Sequence, residues 1–292
     1  MAAHALPEGF AEFDMFLFGT ALLVGGVLGF FLNTISVLSF ISVKQMRTPS
    51  NFFVFNLALA DLSLNINGLT AAYASYLRYW PFGAEGCRMH GFQGMISVLA
   101  SISFMAAIAW DRYHVYCTRQ KLFWSTTITM SSLIWILSVA WAAVPLFGWG
   151  VYDFEPMKTC CTLDYSKGDR YYYYYSKGDS LVVLYLAFPS ITMLSCYDSI
   201  YKYFKKIHNQ KPLCWTDFFS NDNDNDNDND NDNNNNNNNT LSFVQALPVI
   251  AKTNPIFNAL LYSFNNEFYR PGVWNFLTGQ KITEPLEGKK SK

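Results

Sequence analysis

The 292-residue chain is 51% hydrophobic and 17% aromatic but only 15% charged, against about 25% charged for a soluble globular domain. That deficit excludes an ordinary soluble enzyme and a disordered chain. With 21 basic and 22 acidic residues the net charge is -1, which excludes a nucleic-acid partner held by bulk charge.

In chain order, the uncharged windows set the class. They run from Met15 to Val43, from Arg47 to Arg78 with Asp61 as the one charge between, from Met89 to Trp110, from Leu122 to Tyr152, and from Leu241 to Phe264 with Lys252 alone. Each can supply the roughly 20 apolar residues of a membrane-spanning helix. Ser180 to Tyr197 is a shorter, sixth window that can use Tyr201 and Tyr203 as interface anchors. The first apolar run is too long for a signal-peptide core, so it is expected to remain in the mature protein.

Basic residues orient the spans. Lys44 and Arg47, Arg112, Arg119 and Lys121, Lys202 to Lys211, and the tail residues Arg270, Lys281, Lys289, Lys290 and Lys292 favour an outer N-terminus and an inner tail. Six spans cannot join those two ends, so one span is missing between Lys206 and Leu241. That interval holds an Asn-Asp alternation from Asn221 to Asp232 and then Asn throughout 233–239, a composition that buries no core. Nearby, Tyr165-Ser-Lys-Gly-Asp169 recurs as Tyr175-Ser-Lys-Gly-Asp179 around a tyrosine run. A variant transcript or a fault in the sequence accounts for this better than a six-span design. The expected organisation is an outer tail at 1–14, spans one to five at 15–206, an aberrant segment at 207–240, a lysine-bearing helix at 241–264, and an amphipathic helix with an inner tail at 265–292.

Lys252 is the sharpest single feature. A lysine at the centre of a bilayer helix costs roughly 3 kcal/mol on insertion scales. Burial there favours the uncharged amine, a nucleophile toward carbonyls. An aldehyde ligand or a structural carboxylate partner both explain it equally well at this level.

Its surroundings break that tie. Six residues past Lys252 comes Asn258-Ala-Leu-Leu-Tyr262, then an amphipathic stretch from Asn265 to Phe276. Here the chain resembles the opsins, in which a retinal-binding lysine stands six residues before an Asn-Pro-x-x-Tyr motif; Ala259 takes the place of the usual proline. The likeness extends to Asn33, Leu57-Ala-Leu-Ala-Asp61, Cys87, Asp111-Arg112-Tyr113, Trp135, Pro145-Leu-Phe-Gly-Trp149, Cys160-Cys161, Pro189 and Tyr197. Within the opsins it is most similar to the photoisomerases of the retinal pigment epithelium. Gly86-Cys-Arg-Met-His-Gly-Phe-Gln-Gly94 and the stretch from Thr159 to Arg170 carry that closer likeness.

The resemblance implies a rhodopsin-like, all-α seven-helix bundle in which helix six is missing or replaced by the Asn/Asp tract. It implies Lys252 as the Schiff-base lysine for retinal, with light turning the all-trans isomer into 11-cis. It implies a Cys87–Cys161 disulfide, with Cys160 as the rival partner, and free thiols at Cys117, Cys196 and Cys214. The span-three position that carries a counterion Glu in many visual opsins is His90 here, a pocket-tuning residue. Glu155 matches a second family carboxylate and becomes the expected counterion, while Asp61 sits too far toward the inner half. Asp111, Arg112 and Tyr113 would face a heterotrimeric G protein, and Asn258 and Tyr262 would serve conformational change. Trp141 and Phe188 are candidate walls of the polyene slot. No Cys/His spacing suggests a metal site. Expected partners are a retinoid and membrane lipid, the location a multi-pass position in internal or plasma membranes of retinal support cells. A light-activated G-protein-coupled receptor and a non-functional variant lacking helix six are the alternative functions.

Overall fold

The computed structural model describes residues 12–148, 150–155, 158–163, 172–210, 252, 254–266 and 269–280, apart from the side chains of 12, 14, 172–186 and 208–210. The Asn/Asp tract, Cys214, Trp149, the Tyr165–Asp169 copy of the repeat, all of 241–251 and the tail lysines past 280 lie outside the described residues.

The described chain is almost wholly helical. Helix α1 spans Glu12–Ser42, α2 Pro49–Leu77, α3 Gly83–Tyr113, α4 Trp124–Ala143, α5 Tyr172–Gln210 and α6 Arg270–Thr278. Between α5 and α6 a helical stretch carries Lys252 and ends as a π-helix at Ala259–Phe264; α3 likewise runs on as a π-helix at His114–Thr118. Four helices among the described residues are long and apolar enough to cross a membrane: Met15–Ser42, Pro49–Leu77, Gly83–Thr118 and Trp124–Phe147. They match the first four apolar windows. The short sixth window, Ser180 to Tyr197, proves to be the middle of α5, which extends beyond both of its apolar ends.

Local chemistry fixes the helix ends. Pro49 opens α2 at a position that needs no N–H, and the Thr48 side chain accepts from Asn51 N at 3.3 Å. Arg78, left-handed at φ 64°, ends it. The outward faces stay apolar: Phe16, Val27 and Phe31 of α1 and Leu133, Ile136 and Leu137 of α4 are exposed, as a lipid-facing surface requires.

Inside, small residues and polar cross-links replace the hydrophobic drive that lipid removes. A methyl group at Gly29 would collide with the Asn65 side chain, so α1 and α2 touch backbone to side chain there. Asn33 Nδ2 donates to Pro255 O at 3.1 Å, tying α1 to the lysine-bearing stretch. Trp135 Nε1 donates to Asn56 Oδ1 at 3.0 Å, tying α4 to α2. An apolar core of Phe53, Leu57, Phe104 and Ile108 fills the inner half. Tyr269, at the start of α6, seals it, its hydroxyl donating to Ser36 O at 2.9 Å.

At the outer end a hairpin forms a lid. Strands β1 (Tyr152–Phe154) and β2 (Cys161–Leu163) pair antiparallel, with Phe154 opposite Cys161. A Cys87–Cys161 disulfide, Cα–Cα 5.4 Å, pins the lid to α3. The Tyr152 ring presses on Gly91, where an added methyl group would lie 2.6 Å from Cδ1, and its hydroxyl donates to Ala142 O at 2.7 Å.

Candidate functional site

Side chains in an extended strand alternate sides. With Cys161 committed to α3, the preceding Cys160 is turned the other way, into the bundle. It is fully buried and carries a free thiol. There it meets Lys252, which is only 7% exposed. The Lys252 amine makes a direct contact with Cys160 Sγ. His90 Nε2 lies 3.4 Å from the same sulfur. A Cβ at Gly68 of α2 would stand 3.8 Å from Lys252 Cβ, so the lysine stem lies along bare helix backbone.

Glu155 sits at the base of the hairpin turn, where its N–H donates to Cys160 O at 3.0 Å. It is partly exposed, yet its carboxylate acts electrostatically on both Lys252 and Cys160. Burial pushes the Cys160 thiol above its ordinary range; the Lys252 charge opposes that rise and the Glu155 charge adds to it. His90 is held from three sides: its ring meets Trp80 edge-on with centroids 4.9 Å apart, its carbonyl accepts from Asn67 Nδ2 at 2.9 Å, and its nitrogen faces the thiol.

The structure therefore brings Lys252, His90 and Glu155 to one place and joins Cys87 to Cys161. Asp61 is elsewhere. It is fully buried, accepts from Ser101 Oγ at 2.7 Å and receives Asn258 Nδ2 at 3.3 Å. Trp141 is partly buried in α4, whereas Phe188 on α5 is 76% exposed. Cys160 was foreseen only as a rival disulfide partner; as the neighbour of the Lys252 amine it is the residue that sequence reasoning missed.

The inner end is arranged differently. Asp111 accepts from Ser50 Oγ at 2.8 Å, and its other carboxylate oxygen stands 3.8 Å from Arg112 Nε. Tyr113 stacks edge-on against His114 with centroids 5.6 Å apart. A cavity of about 440 Å³ opens beside them, lined by Arg112, Tyr116, Tyr197, Leu261, Tyr262 and Asn265 among others. Tyr262 hydrogen-bonds with Tyr197 across it.

Two ends, one capped by a disulfide-pinned hairpin and one opening beside an Asp-Arg-Tyr helix end, make a receptor-like bundle. Residues 32–262 match the family described as 7 transmembrane receptor (rhodopsin family). The chain belongs to that family. It is 39% identical to the human RPE-retinal G protein-coupled receptor over 95% of this chain and 96% of that protein. Over a shorter part, 56% of this chain and 57% of the relative, it is 52% identical to the bovine RPE-retinal G protein-coupled receptor. Among solved structures it resembles the crystal structure of squid rhodopsin, with a TM-score of 0.63 and 28% identity, covering 72% of this chain and 59% of that one. This rhodopsin-family chain is accordingly an all-α, multi-pass membrane protein, and it carries the lid disulfide, Cys87–Cys161.

Proposed function

We propose that this rhodopsin-family chain is a retinal-binding opsin that holds all-trans-retinal at Lys252 as a Schiff base and photoisomerises it to 11-cis-retinal. The observation that carries the reading is the buried Lys252 amine beneath a disulfide-pinned lid, in a chain 39% identical to a protein named RPE-retinal G protein-coupled receptor. The residues fit such a group: the amine is shielded from water, its stem lies along Gly68, and a carboxylate stands within electrostatic reach.

Retinal, when bound, supplies the light absorption and the double bond that turns. The protein's residues do the rest. Lys252 presents one nucleophilic nitrogen. Glu155 offers the anion that balances a positive nitrogen in a low-dielectric setting. His90 stays close to the amine end, and the Tyr152 lid excludes water from above. Asp61, with Ser101 and Asn258, forms a separate polar knot deeper in the bundle.

The test is to express the chain, add all-trans-retinal, reduce with borohydride and map the adduct. We expect it on Lys252 and expect Lys252→Ala to lose it; an adduct that survives that change overturns the reading. Glu155→Gln should move absorption toward the ultraviolet, and an unchanged spectrum would assign the counterion to another group.

A second reading, a light-activated receptor coupled to a heterotrimeric G protein, draws on Asp111 and Arg112 beside the inner cavity. Light-dependent nucleotide exchange on a G protein separates it from a pure photoisomerase. Residence in retinal support cells belongs to the same proposal and draws only on the names of the relatives.

A further inference from the structure

The outer site contains a second nucleophile that retinal attachment does not use. Cys160 is fully buried, belongs to no disulfide, and its sulfur contacts the very nitrogen that would bear an aldehyde. The carbon bonded to that nitrogen would therefore fall within bonding reach of the sulfur. His90 Nε2, 3.4 Å from Sγ, is a second polar neighbour of the thiol. The lid leaves the thiol little freedom: Cys161 is fixed by its disulfide, and the Cys160 carbonyl is held by Glu155 N at 3.0 Å.

We infer that Cys160 and Lys252 form a two-nucleophile aldehyde site, in which the thiol adds reversibly to the carbon–nitrogen double bond formed at Lys252 to give an N,S-acetal. The inference rests on Lys252 as the attachment point. Addition of S–H across the C=N bond forms one S–C bond. The former π pair takes the thiol proton to make an N–H bond on Nζ. No electron is lost or gained, and no co-reactant is needed. The hydrogen that the nitrogen gains is the one the thiol gives up, so the addition closes within the pair. The adduct interrupts conjugation between the polyene and the nitrogen, so the bound ligand absorbs at short wavelength. Elimination of the thiol restores the conjugated, longer-wavelength form. The site would thus store its ligand in two covalent states, selected by the lid residue.

The experiment uses the full chain in detergent with all-trans-retinal in the dark. The infrared S–H stretching band is compared before and after loading, with visible absorption and borohydride mapping on the same sample. We expect loss of S–H absorption in proportion to a short-wavelength band. Cys160→Ser should show neither the loss nor that band, with its absorption wholly at the longer wavelength. The wild-type infrared measurement needs no variant, and Cys160→Ala replaces the serine variant should that one not fold. If the borohydride adduct maps to Lys252 while the S–H absorption is unchanged, the thiol inference is overturned and the retinal reading stands. If no adduct forms at Lys252 in the wild type or in Cys160→Ser, both are overturned.

Discussion

The outer and inner ends of the bundle are built on opposite plans. Outside, a disulfide, a tyrosine ring seated on glycine, and a buried Lys-Cys-His cluster leave the hairpin little room to move. Inside, a cavity of about 440 Å³ is bordered by Tyr116 from one π-helical segment and by Leu261 and Tyr262 from another. Such wide turns weaken the regular hydrogen-bond ladder and recur at functional sites. The difference teaches where the molecule spends its cross-links: an outer end pinned into one geometry, and an inner end that keeps an open cavity between its helices.

Removing the disulfide attacks that contrast most directly. Cys87→Ser or Cys161→Ser frees the lid from α3, and loss of a native disulfide typically costs about 2–5 kcal/mol. We expect a correspondingly lower unfolding temperature in detergent and an outer hairpin that becomes sensitive to protease. An unchanged melting curve and an intact hairpin would show that the lid is held by other contacts.

Next in size is the glycine under the lid. Gly91→Leu drives a side chain into the Tyr152 ring, and overpacking of this kind costs about 1–3 kcal/mol. Its mark is local: hydrogen exchange should rise in β1 and β2 while α1 and α2 keep their protection. Equal exchange across the bundle would erase the distinction between a pinned and an open end. On the inner side, Tyr262→Phe removes the hydrogen bond with Tyr197, worth about 1 kcal/mol. There we expect little change in melting and faster exchange in the Ala259–Phe264 segment.

Much of this was legible beforehand, and the exceptions have physical causes. Long uncharged windows revealed the first four spans, because lipid tolerates charge so poorly that its absence is itself a signal. Helix α5 was seen only as Ser180 to Tyr197, since hydropathy registers an apolar stretch and is blind to a helix that continues through charged residues such as Lys202, Lys205 and Lys206. The approach of Lys252 to Cys160 joins residues 92 apart in the chain, and no periodicity encodes it. One cue went unused: had an extended segment been read at Cys160-Cys161, a disulfide at Cys161 would have turned Cys160 the other way. The two π-helical segments left no trace, because a single extra residue per turn changes neither composition nor apolar spacing enough to be read.

The smallest expected effect concerns pH at the lid. The folded Cys160 thiol lies above its ordinary value of 9.0, chiefly through burial. The folded state therefore keeps a proton that the unfolded chain releases, and stability falls as pH rises past the unfolded value. Below that value the contribution is fully present; through and beyond it, the contribution drains away until the folded thiol also ionises. Wild-type melting temperature should thus decline more steeply above pH 9.0 than that of Cys160→Ala, with the two slopes equal at neutral pH. Parallel slopes for wild type and Cys160→Ala would mean that water reaches the thiol, and the outer end would then be less tightly closed than its disulfide and its glycine contact imply.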